Sequence, residues 1–144
     1  MTNQKATGYA GDITPIEAWE ILKSHHNSFL IDVRTTAEWA YVGIADLSKL
    51  GKETHTIEWK TYPNMLINPN FVALVSSICV NPRVKILSLC RSGQRSIESS
   101  RALTDGGFKE CYNILEGFEG DKDNNEHRGQ RNGWKFSGLP WKQS

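Results

Sequence analysis

Cys90-Arg91-Ser92-Gly93-Gln94-Arg95-Ser96 is the stretch of this chain whose residue types could do covalent chemistry. A thiolate is a strong nucleophile, and positive charge or hydrogen-bond donors around the sulfur favour it. Arg91 and Arg95 supply two fixed charges, and Ser92 and Ser96 supply hydroxyls. Gly93 permits dihedrals that a side chain forbids, so the loop can curl its own amides around one centre. The same donors would stabilise negative charge arriving on a transferred group. The alternative is a packing thiol in an ordinary strand-to-helix loop, because cysteine is among the most buried residue types.

Such a ring needs a buried strand before it and a helix after it. Lys85-Ile86-Leu87-Ser88-Leu89 is a short apolar run that reads as that strand, and the spacing predicts a helix over 96–104, closed by Gly106-Gly107. A helix N-terminus points unpaired N–H groups and the positive end of its dipole at the loop. Residues 29–33 and 111–115 read as two further strands. Thr14-Pro15-Ile16-Glu17 and Thr35-x-x-Glu38 are capping boxes that open helices over 15–24 and 36–40. Phe71, Leu74, Val75 and Ile78 fall at helical spacing before Asn81-Pro82 closes that helix. Residues 43–68 are ambiguous, with a strand possible over 54–59. Strands alternating with helices imply βαβ units and a mostly parallel sheet, whose functional loops lie at the strands' carboxyl ends. That singles out the loops after Val33 and after Leu89.

The composition is ordinary for a globular chain: 144 residues, 38% hydrophobic and 23% charged. We read residues 1–11 as a flexible lead-in and 12–144 as one domain, with a polar, mobile surface insertion near 120–133. Seventeen Lys plus Arg against sixteen Asp plus Glu leave a net charge of +1, which removes the usual electrostatic case for nucleic-acid binding. No apolar run approaches the length of a membrane span, and the N-terminus leads into no signal-like apolar segment. Three cysteines, Cys79, Cys90 and Cys111, are too few and too odd for a disulfide framework, so the expectation is a reduced, cytoplasmic protein. His25, His26, His55 and His127 show no metal-ligand spacing, so neither metal nor cofactor is expected.

Cys90-Arg91-Ser92-Gly93-Gln94-Arg95-Ser96 resembles the active-site loop of single-domain rhodaneses, which transfer sulfur from thiosulfate or persulfides. Other segments resemble that family in the same order. They are Leu30-Ile31-Asp32-Val33-Arg34 with Glu38-Trp39, Ser99-x-Arg101-Ala102-Leu103 with Gly107-Phe108, Asn113-Ile114-Leu115-Glu116-Gly117-Phe118, and Gly133-Trp134-Lys135 with Gly138-Leu139-Pro140. The resemblance runs over about 12–141. It implies an α/β, three-layer fold with a central five-stranded parallel sheet flanked by helices. It further implies that Cys90 takes a sulfur atom as a persulfide and passes it to a thiol or to cyanide. The amides of 91–96 would cradle that sulfur, Arg91 and Arg95 would draw in the anionic donor, and a sulfur-relay protein is a possible partner. Four residues separate Cys90 from Arg95, whereas the related dual-specificity phosphatases have one more. Alternatives are a persulfide carrier or interaction module without turnover and, less well matched, a cysteine phosphatase or arsenate reductase.

The chain departs from the family at Tyr41-Val42-Gly43-Ile44-Ala45-Asp46, where many members carry Gly-His-Ile and then Pro-Gly-Ala. Asp32 and Arg34 are read as supports for the loop, with an Arg34–Glu38 ion pair as the local alternative. Glu38 is read as structural, and Cys79 and Cys111 as packing residues. Trp59, Tyr62, Pro63 and Met65 are candidates to line the pocket or a protein contact.

Overall fold

A computed structural model describes residues 7–143. The elements are β1 (Gly11–Ile13), α1 (Pro15–Ser24), β2 (Ser28–Asp32), α2 (Thr36–Tyr41), β3 (Ile44–Ala45), a 3-10 turn (Ser48–Leu50), β4 (Thr54–Thr56), β5 (Lys60–Thr61), β6 (Leu66–Ile67), α3 (Phe71–Ile78), β7 (Lys85–Leu89), α4 (Arg95–Asp105), β8 (Glu110–Ile114) and β9 (Trp141–Lys142). Five strands form one parallel sheet in the order β1-β8-β7-β2-β4, so β7 lies at its centre. Every pairing in that sheet is parallel, as helical crossovers require.

The apolar runs feed both faces of the sheet because side chains alternate along a strand. Ile31, Val33, Ile86 and Cys111 point to one face and pack with Phe71 and Val75 of α3 and Leu103 of α4. Leu30, Leu87, Leu89 and Ile114 point to the other, against Ala18 and Leu22 of α1 and against Phe118, Trp134 and Leu139. The result is three layers. Each such aliphatic side chain taken out of water stabilises the fold by about 1.5–3 kcal/mol. Trp134 is fully buried, sits edge-on to Trp19 and donates its indole N–H to the Pro140 carbonyl at 2.8 Å.

Both expected capping boxes form. Thr14 and Thr35 accept from the backbone of Glu17 and Glu38, whose carboxylates return the bond. The lead-in reading needs correcting at its inner end. Residues 1–6 lie outside the described residues, but Gly11 already belongs to β1, and the Ala10 N–H donates to Cys111 O at 2.9 Å. The segment 43–46 enters a second, small sheet. There β3 pairs antiparallel with β9, and the Asp46 N–H donates to the Pro140 carbonyl at 3.0 Å. The 120–133 insertion is a series of turns clasped at its base. Asp121 and Asn132 exchange two hydrogen bonds there, and the Gly129 N–H donates to Glu119 O at 2.8 Å. Among the described residues no helix is long and apolar enough to cross a membrane.

Candidate active site

Cys90 follows the last residue of the central strand, and α4 starts five residues later. Strand and helix therefore fix both ends of the loop. Inside it the Gly93 N–H donates to Cys90 Sγ at 3.1 Å, and the Ser96 N–H, from the first turn of α4, does so at 3.4 Å. Ser96 Oγ lies 3.2 Å from the same sulfur. Gly93 makes this turn with φ +104°, a conformation L side chains resist. Two amides of the ring thus converge on the sulfur, and negative charge there would meet two fixed backbone donors. Cys90 is only 1% exposed and packs in the same buried cluster as Ile86 and Leu103.

The ring rests on the turn after β8. The Phe118 N–H donates to Cys90 O at 2.7 Å, and the N–H groups of Glu119 and Gly120 donate to Arg91 O at 3.0 and 3.1 Å. Gly117 permits this approach, because a Cβ there would sit 2.5 Å from the Arg91 carbonyl oxygen.

Arg95 does not project freely. Its two terminal nitrogens donate to the Glu38 carboxylate at 2.7 and 2.9 Å, tying the start of α4 to α2. Burial works against the Glu38 charge, but the Arg95 hydrogen bonds and charge outweigh it and hold the carboxyl below its ordinary 4.5. Burial likewise opposes the Arg95 charge, and Glu38 more than offsets it. Glu38 therefore pairs with Arg95, and the alternative local pair with Arg34 does not form. Arg34 instead grips Asp32 in a fully buried ion pair at 2.6 Å and donates to Gly43 O at 2.7 Å. Its guanidinium lies 4.3 Å over the Phe118 ring. Asp32 and Arg34 thus brace the residue whose N–H holds the Cys90 carbonyl. Arg91 and Gln94 are exposed, and Ser92 is half-buried.

Trp59 does not line the loop. It is buried against Phe71 and donates its indole N–H to Glu98 at 3.0 Å. Tyr62, Pro63 and Met65 are exposed between β5 and β6. Cys79 and Cys111 sit in the core, where burial pushes each thiol up to about 11.

Two residues at the site escaped sequence reasoning. Ser96 Oγ–H donates to Asn113 Oδ1, and Asn113 Nδ2 donates to Asp12 Oδ1 at 3.0 Å. Asn113 is fully buried in β8, paired across the strands with Asp12. A usable signal was there: an asparagine inside the apolar run 111–115 must find partners, because a buried amide left unpaired is costly.

The family model described as Rhodanese-like domain matches residues 14–124. An uncharacterized protein of Rickettsia conorii is 38% identical over 130 residues, covering 90% of this chain and 95% of that protein. The crystal structure of Rv0390 from M. tuberculosis superposes with a TM-score of 0.86 at 45% identity, covering 94% of this chain and 99% of that one. The polysulfide-sulfur transferase homodimer of Wolinella succinogenes shares the fold, with a TM-score of 0.61 at 18% identity over 96% of this chain and 82% of that one. A thiol at the carboxyl end of the central strand, ringed by backbone amides, is thus set in a chain that belongs to the rhodanese-like domain family.

Proposed function

We propose that this protein is a sulfurtransferase that carries a sulfane sulfur on Cys90. The observation that supports this best is the convergence of the Gly93 and Ser96 N–H groups on Cys90 Sγ at the mouth of the parallel sheet. In the forward half-reaction the Cys90 thiolate attacks the outer sulfur of thiosulfate or a persulfide. An Sγ–S bond forms, the donor's S–S bond breaks, and sulfite or a thiolate leaves with the electron pair. In the return half, cyanide or a thiolate attacks the terminal sulfur, and Cys90 leaves as the thiolate. Donor, loaded cysteine and leaving group are all anions, so one set of fixed donors serves every step. Arg91 and Ser92 lie at the loop's surface side and would meet the arriving donor, while Arg95, held by Glu38, fixes the ring's shape.

A persulfide carrier that delivers to a protein partner is the second reading. The near-complete burial of Cys90 favours it, because a loaded sulfur would be shielded until an acceptor reached into the ring. Intact-mass measurement after incubation with thiosulfate tests both readings. A gain of about 32 Da that disappears in Cys90→Ser is expected. Thiocyanate release on adding cyanide marks the enzyme, and a stable adduct without release marks the carrier. Absence of the adduct with thiosulfate and with persulfide donors overturns both.

A further inference from the structure

The hydrogen bonds behind Cys90 form a chain whose directions can be read link by link. Asp12 Oδ1 accepts from Asn113 Nδ2 at 3.0 Å and from the Tyr9 hydroxyl at 2.8 Å. Burial and the bond to Asp12 push the Tyr9 hydroxyl up to about 12, so it remains a donor. A carboxylate can only accept, so the Asn113 amide must turn its nitrogen to Asp12 and its oxygen to Ser96. The Ser96 hydroxyl has one proton, and the Asn113 oxygen takes it. Toward Cys90 Sγ, 3.2 Å away, Ser96 therefore presents a lone pair. That arrangement suits an S–H group or a disulfide-like sulfur at Sγ. It does not suit a bare thiolate, which faces the lone pair until the hydroxyl turns away from Asn113.

We infer that Asp12 and Asn113 are positioning residues that hold the Ser96 hydroxyl proton away from Cys90, guarding the unloaded thiol and favouring the sulfur-loaded state. This role rests on the proposed sulfur chemistry at Cys90. Once Sγ is bonded to a second sulfur, the negative charge moves to the outer atom and the lone pair of Ser96 no longer opposes it. Loading thus relieves a repulsion that the thiolate meets. Asn113 competes with the sulfur for a single proton, and Asp12 decides which end of the amide does so.

The prediction has an unusual sign: removing a buried hydrogen-bonding group should make the thiol more reactive. In Asn113→Leu the hydroxyl is released to the sulfur, and the thiolate absorbance at neutral pH and the iodoacetamide rate at Cys90 should both rise, by about tenfold for one bond to a charged group. Ser96→Ala/Asn113→Leu should show none of that gain over Ser96→Ala, an outcome that a loosened fold would not produce. Asp12→Ala lies on the half-buried edge strand and is the milder variant. It frees the amide to turn and should move reactivity in the same direction. The surrounding charges, Arg95 with Glu38, Asp32 with Arg34, Arg91 and Asp12, are unchanged in Asn113→Leu, whereas Asp12→Ala also removes one negative charge. Reactivity that falls in both Asn113→Leu and Asp12→Ala, or a gain that survives in the double variant, overturns the inference. These readouts need no sulfur transfer, so failure of wild-type protein to load sulfur would defeat the function while leaving this result to stand or fall separately.

Discussion

Glu38 shows how much of the site's shape depends on one side chain. It caps α2 through Thr35 and clamps Arg95 with both carboxylate oxygens. A bidentate pair this sheltered stabilises by about 1–2 kcal/mol. Because the Glu38 carboxyl is held below its ordinary 4.5, the stabilisation is present above that value and is lost as pH falls through the lowered one. Thermal melts of wild type and Glu38→Gln should differ fully near neutral pH and converge in acid, at pH values below the ordinary carboxylate range. A constant gap across that range would mean that the carboxylate charge contributes nothing. The pairing could not be read from sequence, because 57 positions separate the partners and Arg34 offered a nearer one. Cys90 and Gly93 were legible because their roles depend on the local turn.

At the scale of elements, the loop between β7 and α4 behaves as one piece with the turn after β8. Gly93→Ala tests this. Alanine at φ +104° is strained by about 1–2 kcal/mol, and its Cβ would lie 3.3 Å from the Glu116 amide nitrogen. The expected result is a slower gain of sulfur mass at Cys90 with a melting temperature lowered by only a few degrees, since the core layers are untouched. Unchanged loading would show that the Gly93 N–H is dispensable. The strands that carry the site declared themselves through local pattern. The run 85–89 is apolar enough to be buried on both faces, and two capping boxes mark helix starts within four residues. β1 did not, because Gly11-Asp12-Ile13 has neither length nor apolar character, and only its pairing with β8 makes it a strand. The two-residue strands over 44–67 and at 141–142 were likewise invisible: β3 and β9 are defined by a partner far away in sequence, and β5 and β6 are hairpin arms too short to show alternation.

Across the whole molecule the three thiols divide by surroundings. Cys79 and Cys111 lie in the core between the sheet and α3 and α4, each pushed by burial up to about 11 from an ordinary 9.0. Raised folded values contribute stability that is complete below the unfolded value and is lost as pH rises through the folded one. Denaturant midpoints should therefore fall between about pH 9 and about pH 11, and Cys79→Ala/Cys111→Ala should flatten that fall despite a lower starting stability. An equally steep fall in the double variant would assign alkaline unfolding to other groups. The layered parallel sheet was foreseeable from alternating strand and helix patterns. The fastening of residues 7–11 was not, because it depends on the Arg101 guanidinium bonding to the Thr7 carbonyl at 2.8 Å, a partner 94 positions away.

The clasp of Asp121 with Asn132 closes the outer arc immediately beyond Gly120, whose N–H already holds Arg91. Beyond those jaws Arg128 and Gly129 still bond back to Gly120 and Glu119, so it is the tip over 123–127 that hangs clear of the residues holding Arg91. Doubling its span would cost only about 0.6 kcal/mol of closure entropy. A reporter or tag spliced in near residue 125 would therefore ride on the molecule like a pennant on a fixed mast, leaving the chemistry beneath it undisturbed.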